Sequence, residues 1–426
     1  MTEQTATEQM AKEQMAKDRK AKKALAACSG AHVIHDGVAD ILYVLLPALA
    51  KFLGLSDAEV GLIRSAQRAA MSIFQIPVGI WAERIGEKNL LVLGTILIGI
   101  AWIGVGFAPG YIPLLLIIFI SGIGTAVQHP LAAAIVSQAY PGQGRRVAIG
   151  HYNFWGDVGK MAFVGGASLL LSLQIPWQVP GFISGGIALV GAIVILLILN
   201  SLGLGGRPEH APAKSDGQSQ DQSHDQSHGG PQSGWGVKHP VGFTALCTIK
   251  LLDSMTRTGF LTFAAFLLID KGIPEHWAVL APPMIFGGGM VGKLAFGYMA
   301  ERFGVFGSVI SACLTTSLGI FLIVLLPEWS AMVVLAFTGV TLNGTSSVLY
   351  GSVGDYIDMK KQARAFGLFY TLGSVAGIIA PLGFGFVNDW VGREISMMII
   401  GSLPLVVIPL CFILRSSGRE LEAAKA

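Results

Sequence analysis

Residues 32–47, HVIHDGVADILYVLLP, place a histidine and two carboxylates four residues apart inside an otherwise apolar run: His32, Asp36 and Asp40. At about 100° per residue these three, with Tyr43 and Pro47, fall within roughly an 80° arc, and His35 flanks it. Leu42, Val44, Leu45 and Leu49 are left to meet lipid or neighbouring helices. A carboxylate at membrane depth is costly and normally faces a bundle interior or a water-filled cavity. The stripe therefore predicts either a set of interhelical hydrogen bonds or a polar path through the membrane. Its residue types suit reversible protonation, and Asp36 is the expected proton carrier, with His32 beside it.

Further charged residues stand in other apolar runs. Arg64, Arg68, Met71 and Gln75 share one helical face, within about 60°. Stacked like charges need anions from elsewhere. Rise arithmetic puts Asp40 level with Arg68 and Asp36 level with Gln75. An Asp40–Arg68 pair reads equally as structural glue or as part of a cavity with Tyr43. His129 precedes Pro130, which can open the backbone, and lies at about the depth of Asp36 and Asp157. It reads as a core histidine or as a proton-coupling group with Asp157. Asn153 and Lys160 lie on the same run as Asp157, and Lys160 is one turn on from it.

The second half of the chain adds Lys250, Asp253 and Arg257 on one face, then Lys293 and Asn343. The bases Arg64, Arg68, Lys160, Lys250, Arg257 and Lys293 outnumber Asp36, Asp40, Asp157 and Asp253. That surplus favours an anionic or carboxylate-bearing solute.

The elements that must position these residues are membrane helices. The 426 residues are 52% hydrophobic and only 13% charged, with a mean hydropathy of +0.62. Soluble domains are about 25% charged. Long apolar runs exclude the alternating pattern of a β-barrel, leaving an all-α polytopic membrane protein. Twelve spans are expected, at 27–50, 59–82, 89–108, 111–139, 147–173, 179–202, 240–269, 277–300, 305–327, 330–355, 364–387 and 395–414. They divide as a polar tail (1–26), a six-helix half (27–202), a linker (203–239), a second six-helix half (240–415) and a second tail (416–426). The tail carries EQMAK in tandem and is solvated or a frayed helix. The linker, rich in Gln, Ser, His, Asp and Gly, is expected to be disordered.

Lys and Arg set the orientation. Of 29 basic residues, 20 fall on the side of the N-terminus, against Lys51, Lys271 and Arg393 on the other. Both termini and the linker are thus expected in the cytoplasm of a bacterium with the chain in its inner membrane. Tyr111, Trp177, Trp277, Trp329 and Trp390 would form the outer aromatic belt. Cys28, Cys247, Cys313 and Cys411 are scattered, suggesting neither a disulfide framework nor a metal cage. His224 and His228 in the linker read as solvated low complexity, so no metal is assigned. No nucleotide fingerprint or nucleophile elbow is present. Neither an enzyme nor a nucleic-acid partner is implied, and no cofactor.

The halves repeat at an offset of 218. Gly54-Leu-Ser-Asp-Ala-Glu answers Gly272-Ile-Pro-Glu-His-Trp, and Gly79-Ile-Trp-Ala-Glu83-Arg84-Ile-Gly86 answers Gly297-Tyr-Met-Ala-Glu301-Arg302-Phe-Gly304. Parallel repeats place a substrate site between the halves near the midplane. The run GIWAERIGEK at 79–88, ending at Lys88, resembles the GxLaDRxGRK signature of the major facilitator superfamily, with Glu83 in place of the usual Asp. HVIHD at 32–36 and GTAVQHP at 124–130 resemble the fosmidomycin-resistance branch of that superfamily. The run Gly156-Asp157-Val158-Gly159-Lys160 lacks the Gly-Pro of the antiporter signature.

The resemblance implies a monomeric secondary transporter working by alternating access. Proton-coupled efflux of a small organic, anionic or drug-like solute is the first reading. Uptake of a carboxylate or metal chelate, or a non-transporting accessory or sensor role, is the alternative. Glu83–Arg84 and Glu301–Arg302 would lock the outward-open form.

Overall fold

The computed structural model describes residues 3–140, 144–206, 237–357 and 362–423. The linker reading falls largely on 207–236, outside the described residues. All regular structure among the described residues is helical, apart from one isolated bridge between Val237 and Ile357. The first set of helices is α1 (Glu3–Asp40), α2 (Leu42–Leu53), α3 (Asp57–Ile85), α4 (Glu87–Val105), α5 (Tyr111–Ala126), α6 (Gln128–Ala139), α7 (Gly144–Ser172) and α8 (Gln178–Leu202). The second set is α9 (Pro240–Asp270), the short α10 (Glu275–Ala278), α11 (Ala281–Leu325), α12 (Glu328–Tyr356), α13 (Gln362–Val391) and α14 (Arg393–Ala423).

The polar N-terminal segment takes the helical of its two expected forms, as the start of α1, because Glu, Gln, Met, Ala and Lys are all strong helix formers. The segment after 415 is likewise helical, as the end of α14. The first expected span carries one irregular turn at Ile41, directly after Asp40, and the fourth one at Val127, directly before Gln128-His129-Pro130; both residues keep right-handed helical φ/ψ and the helical path continues through them. Pro130 stands in the first turn of α6, where its missing N–H is not needed.

Eight helical stretches among the described residues are long and apolar enough to cross a membrane. α3 and α7, laden with polar residues, and α12 are not among the eight. α11 comprises two helices that meet at Gly304 (φ 81°, ψ 160°). Gly86, its repeat mate, also takes positive φ (90°) and caps α3 with an N–H to the Ala82 carbonyl, 2.8 Å. Both turns need a backbone conformation open to glycine.

Within the first set α1 packs on α7, α4 on α8 and α3 on α5. Within the second α11 packs on α12 and α9 on α14. Across the sets α3 meets α13, α7 meets α11 and α2 meets α9. The apolar interior falls into three clusters. The largest draws on both sets, running from Ile41, Leu45 and Ile63 to Phe260, Leu267 and Ile400. The other two are each confined to one set: Cys28, Leu91, Ile135 and Leu199 in one, Leu246, Val309, Phe369 and Cys411 in the other. The sets are thus joined at the end away from the chain termini and separate at the terminal end.

Candidate functional site

The α1–α7 contact brings the charged residues together. An added Cβ at Gly159 would come within 2.3 Å of the Val33 carbonyl oxygen, and one at Gly156 within 2.5 Å of the His32 ring. Only glycine allows this approach. It sets Asp36 beside Lys160, whose Nζ lies 3.0 Å from Asp36 Oδ2. His32 Nε2 is 3.3 Å from the same oxygen, and His129 Nε2, arriving from α6, is 3.6 Å from Asp36 Oδ1. Lys160 also lies 3.7 Å from Asp157, one turn back on α7. Asp157 in turn accepts a 2.6 Å bond from Lys293 of α11, in the second set. One chain of alternating charge therefore runs from Asp36 through Lys160 and Asp157 to Lys293, with His32 and His129 against its Asp36 end. Asp36 takes these partners rather than Gln75, which is half-buried on α3.

His32 has a fixed tautomer. Its Nδ1 is 2.9 Å from the Tyr152 carbonyl oxygen, which can only accept, so Nδ1 carries a hydrogen. In the neutral ring Nε2 would then present a lone pair toward the Asp36 carboxylate. A proton shared between the two removes that repulsion. The Tyr152 ring stacks on His32 at 4.2 Å between centroids. This anchor uses a backbone carbonyl, and no side-chain pattern in the sequence signals it. His35 is different. Thr95 Oγ1 donates to the Leu91 carbonyl and so accepts from His35 Nε2, at 2.8 Å. His35 is fully buried and ties α1 to α4.

Asp40 has the expected contact with Arg68 and a closer one that the sequence reading did not name. Its near partner is Arg64, 2.8 Å away, while Arg68 stands off at 3.9 Å. Arg64 also donates to the Ala39 carbonyl and to Gln67, and lies over the Tyr43 ring at 3.9 Å. Arg64 and Arg68 stand one turn apart on α3, so both reach toward the Asp40 carboxylate and depth alone does not choose between them. Arg64, Asp40 and Tyr43 form a buried cluster, and Arg68 remains partly exposed.

In the second set Thr345 donates to Asp253, Asn343 bonds the Gly339 carbonyl and is buried, and Lys250 is buried on α9. Arg257 is half-buried one turn beyond Asp253, and Asn153 is exposed on α7. Around the repeated turns Gly79 and Gly297 are half-buried, and Glu83, Arg84, Glu301 and Arg302 are exposed. No ion pair among the described residues joins these four across the sets. Lys88 instead bonds Asn200 within the first set.

The opposite end carries a network that sequence reasoning missed. Arg393 grips Asp57 through Nε and Nη2 (2.7 and 2.8 Å) and Asp270 through Nη1 (2.7 Å). The Asp389 carboxylate accepts the N–H groups of Asp57 and Ala58 at the start of α3, 2.9 Å each. The signal was the four acidic or basic residues at helix ends, but nothing in the sequence pairs residues more than 300 positions apart.

A model of the Major Facilitator Superfamily matches residues 28–327. The chain belongs to this superfamily. It is a transporter by family, not an enzyme. Among relatives, a D-galactonate transporter of Escherichia coli O6:H1 is 23% identical over 83% of this chain and 86% of its own. A gentisate transporter of Corynebacterium glutamicum is 23% identical over 88% and 83%. A hexuronate transporter of Bacillus subtilis is 25% identical over 82% and 84%. Among solved structures, a bacterial homologue of the lysosomal transporter Spinster, inward-facing and unoccupied, superposes with a TM-score of 0.75 at 17% identity, covering 94% of this chain and 98% of that one. That likeness supports the fold.

Proposed function

We propose that this protein is a proton-coupled secondary transporter of a small organic acid anion, working by alternating access. The observation that carries the reading is the charge chain from Asp36 to Lys293. It joins a protonatable pair, His32–Asp36, to a cation of the opposite helix set. Charged side chains on membrane-spanning helices that stay partly exposed, as Arg68, Lys160 and Lys293 do, face aqueous space rather than lipid. A carboxylate entering between the sets competes with Asp157 for Lys293 and so bears on the whole chain. The relatives named for galactonate, gentisate and hexuronate support an organic acid as cargo. The fosmidomycin-resistance resemblance supports export as the direction. Relatives and resemblance agree on a small organic solute.

We read twelve crossings in two halves, 27–202 and 240–415, functioning as a monomer. The termini and the 203–239 linker lie in the cytoplasm of a bacterial inner membrane. The charge asymmetry supports that orientation. Thiol labelling of intact cells then modifies a cysteine at Glu328 and spares one at Ser215; the reverse pattern inverts the topology.

The test of function is flux in proteoliposomes under an imposed pH gradient, with sugar acids and aromatic acids as trial cargo. Asp36→Asn is expected to abolish gradient-driven uphill flux while leaving counterflow exchange measurable. Undiminished gradient-driven flux in Asp36→Asn would sink the assignment of the proton to this group.

A further inference from the structure

Two arginines of α3 share one carboxylate unequally. Arg64 takes Asp40 in a 2.8 Å ion pair and adds bonds to the Ala39 carbonyl and to Gln67. Arg68, one turn on, lies 3.9 Å from the same carboxylate oxygen. Otherwise it has the Tyr43 hydroxyl beside it and one long contact, 3.8 Å from Nη1 to the Met71 sulfur. A thioether is a weak acceptor, and a guanidinium carries five N–H donors. Arg68 is thus the second cation on an anion already taken, and its side chain is 35% exposed. Facing it on α13 is Gly377, where an added Cβ would come within 3.7 Å of Arg68 Cγ and Cδ. The missing side chain keeps the flank of the guanidinium clear.

The groups around Arg68 are aromatic rings and thioethers. Tyr43 of α2, under the Arg64 guanidinium, meets Phe286 of α11 across the sets, with ring centroids 6.2 Å apart. At the next residue of α11, an added Cβ on Gly287 would touch Met161 of α7, 3.5 Å from its methyl and 3.7 Å from its sulfur. Met71, Met161 and Phe286 are each only partly buried. The hydroxyl of Ser72 is spent on the Arg68 carbonyl, 2.8 Å away. Rings and thioethers make favourable contacts with an aromatic face. A polyhydroxylated chain in the same place would need a partner for each hydroxyl or lose its hydration uncompensated.

We propose that Arg68 is the carboxylate anchor for the cargo and that the cargo is an aromatic acid. The carboxylate takes the guanidinium fork in two parallel bonds, and the ring lies against Phe286, Met71 and Met161. Lys293 is already bonded to Asp157 at 2.6 Å, so Arg68 is the cation that an incoming carboxylate meets without first displacing an anion at hydrogen-bond distance. This inference rests on the reading of the chain as an organic-acid transporter and narrows it.

The test is equilibrium binding of ¹⁴C-benzoate to the purified full-length protein in detergent at neutral pH, with no proton gradient. The competitors are unlabelled benzoate, the neutral benzamide, the saturated cyclohexanecarboxylate and galactonate. Benzoate is expected to compete about tenfold better than each of the other three, a difference worth one good contact. Arg68→Gln should abolish the preference for benzoate over benzamide. Arg68→Lys should weaken benzoate about tenfold, because an ammonium cannot make the forked contact. Phe286→Leu should reduce the preference for benzoate over cyclohexanecarboxylate several-fold and leave the preference over benzamide in place. If Arg68→Gln fails to fold, Arg68→Lys carries the test. Absence of saturable benzoate binding, or binding unchanged in Arg68→Lys, would overturn the anchor. Galactonate or cyclohexanecarboxylate competing as well as benzoate would overturn the aromatic class and leave the organic-acid reading standing. Benzoate binding with all these preferences, but no benzoate flux in proteoliposomes, would uphold the site and count against the transport reading instead.

Discussion

The two ends of the molecule are built on different principles. At the end away from the termini, one apolar cluster runs through both helix sets, and charged groups clasp its rim: Arg393 on Asp57 and Asp270, Asp389 on the start of α3, Lys51 on Glu275. At the terminal end each set keeps its own apolar cluster, and the charged pairs at the repeated glycine turns are exposed. The repeat makes the two sets alike, yet only one end is sealed. The difference shows that the seal is made from contacts between the sets, apolar within and polar at the rim, and not from the cores confined to each set. Such contacts can be exchanged for others without unfolding either half, which is what a two-state carrier requires.

The largest effect should come from forcing the sealed end apart. An added Cβ at Gly61 would lie 2.2 Å from the Pro381 carbonyl oxygen. Gly61→Leu should therefore exclude this conformation. Spin labels on α3 and α13 near that end should then report a lengthened distance for essentially the whole population. An unchanged distance distribution would show that the α3–α13 contact does not hold the seal.

Arg393→Ala removes bidentate bonds to one carboxylate and leaves Asp57 and Asp270 facing each other. The guanidinium is about a quarter exposed, and the loss should be about 1–2 kcal/mol after solvent screening, or roughly tenfold in the open-to-closed ratio at that end. The same labels measure it, and Arg393→Lys should recover only part of it, because an ammonium cannot make the forked contact.

Arg84→Ala and Arg302→Ala should act in the opposite sense. Neither residue holds the present conformation, so labels across the terminal end should show no change in the distance seen here. The population of the alternative state should fall several-fold, and turnover in proteoliposomes should slow with it. Equal slowing by Lys88→Ala, which bonds within one set, would mean that the motif acts through local folding instead.

The smallest effect belongs to Lys51→Ala. The Lys51–Glu275 bridge crosses the sets at 2.7 Å, but the lysine is 77% exposed. Exposed pairs contribute little and are screened by salt. The open-to-closed ratio should not move measurably, and a shift as large as that of Arg393→Ala would reverse the ranking of buried over exposed rim contacts.

What was legible in the sequence follows from short-range physics. Apolar runs of spanning length fixed the helical class, since backbone groups in lipid have no partner but their own helix. The glycine turns at 86 and 304 were readable because a repeated motif and a residue with freedom at positive φ coincide. The polar stripe of the first span was readable from periodicity alone, and Asp36 does meet its flanking His32 one turn away. The partners from other helices were decided by tertiary packing. Lys160 reaches Asp36 because Gly156 and Gly159 let α7 press against α1. Asp40 takes Arg64 as its nearer partner and Arg68 as its farther one, a choice between residues one turn apart that rise arithmetic does not make. Asp157 finds Lys293 only through the α7–α11 contact between sets. The Thr95 hydroxyl accepts from His35 only because its single hydrogen goes to the Leu91 carbonyl. A sequence lists donors and acceptors, but which of them is already spent is settled only when the helices are in place.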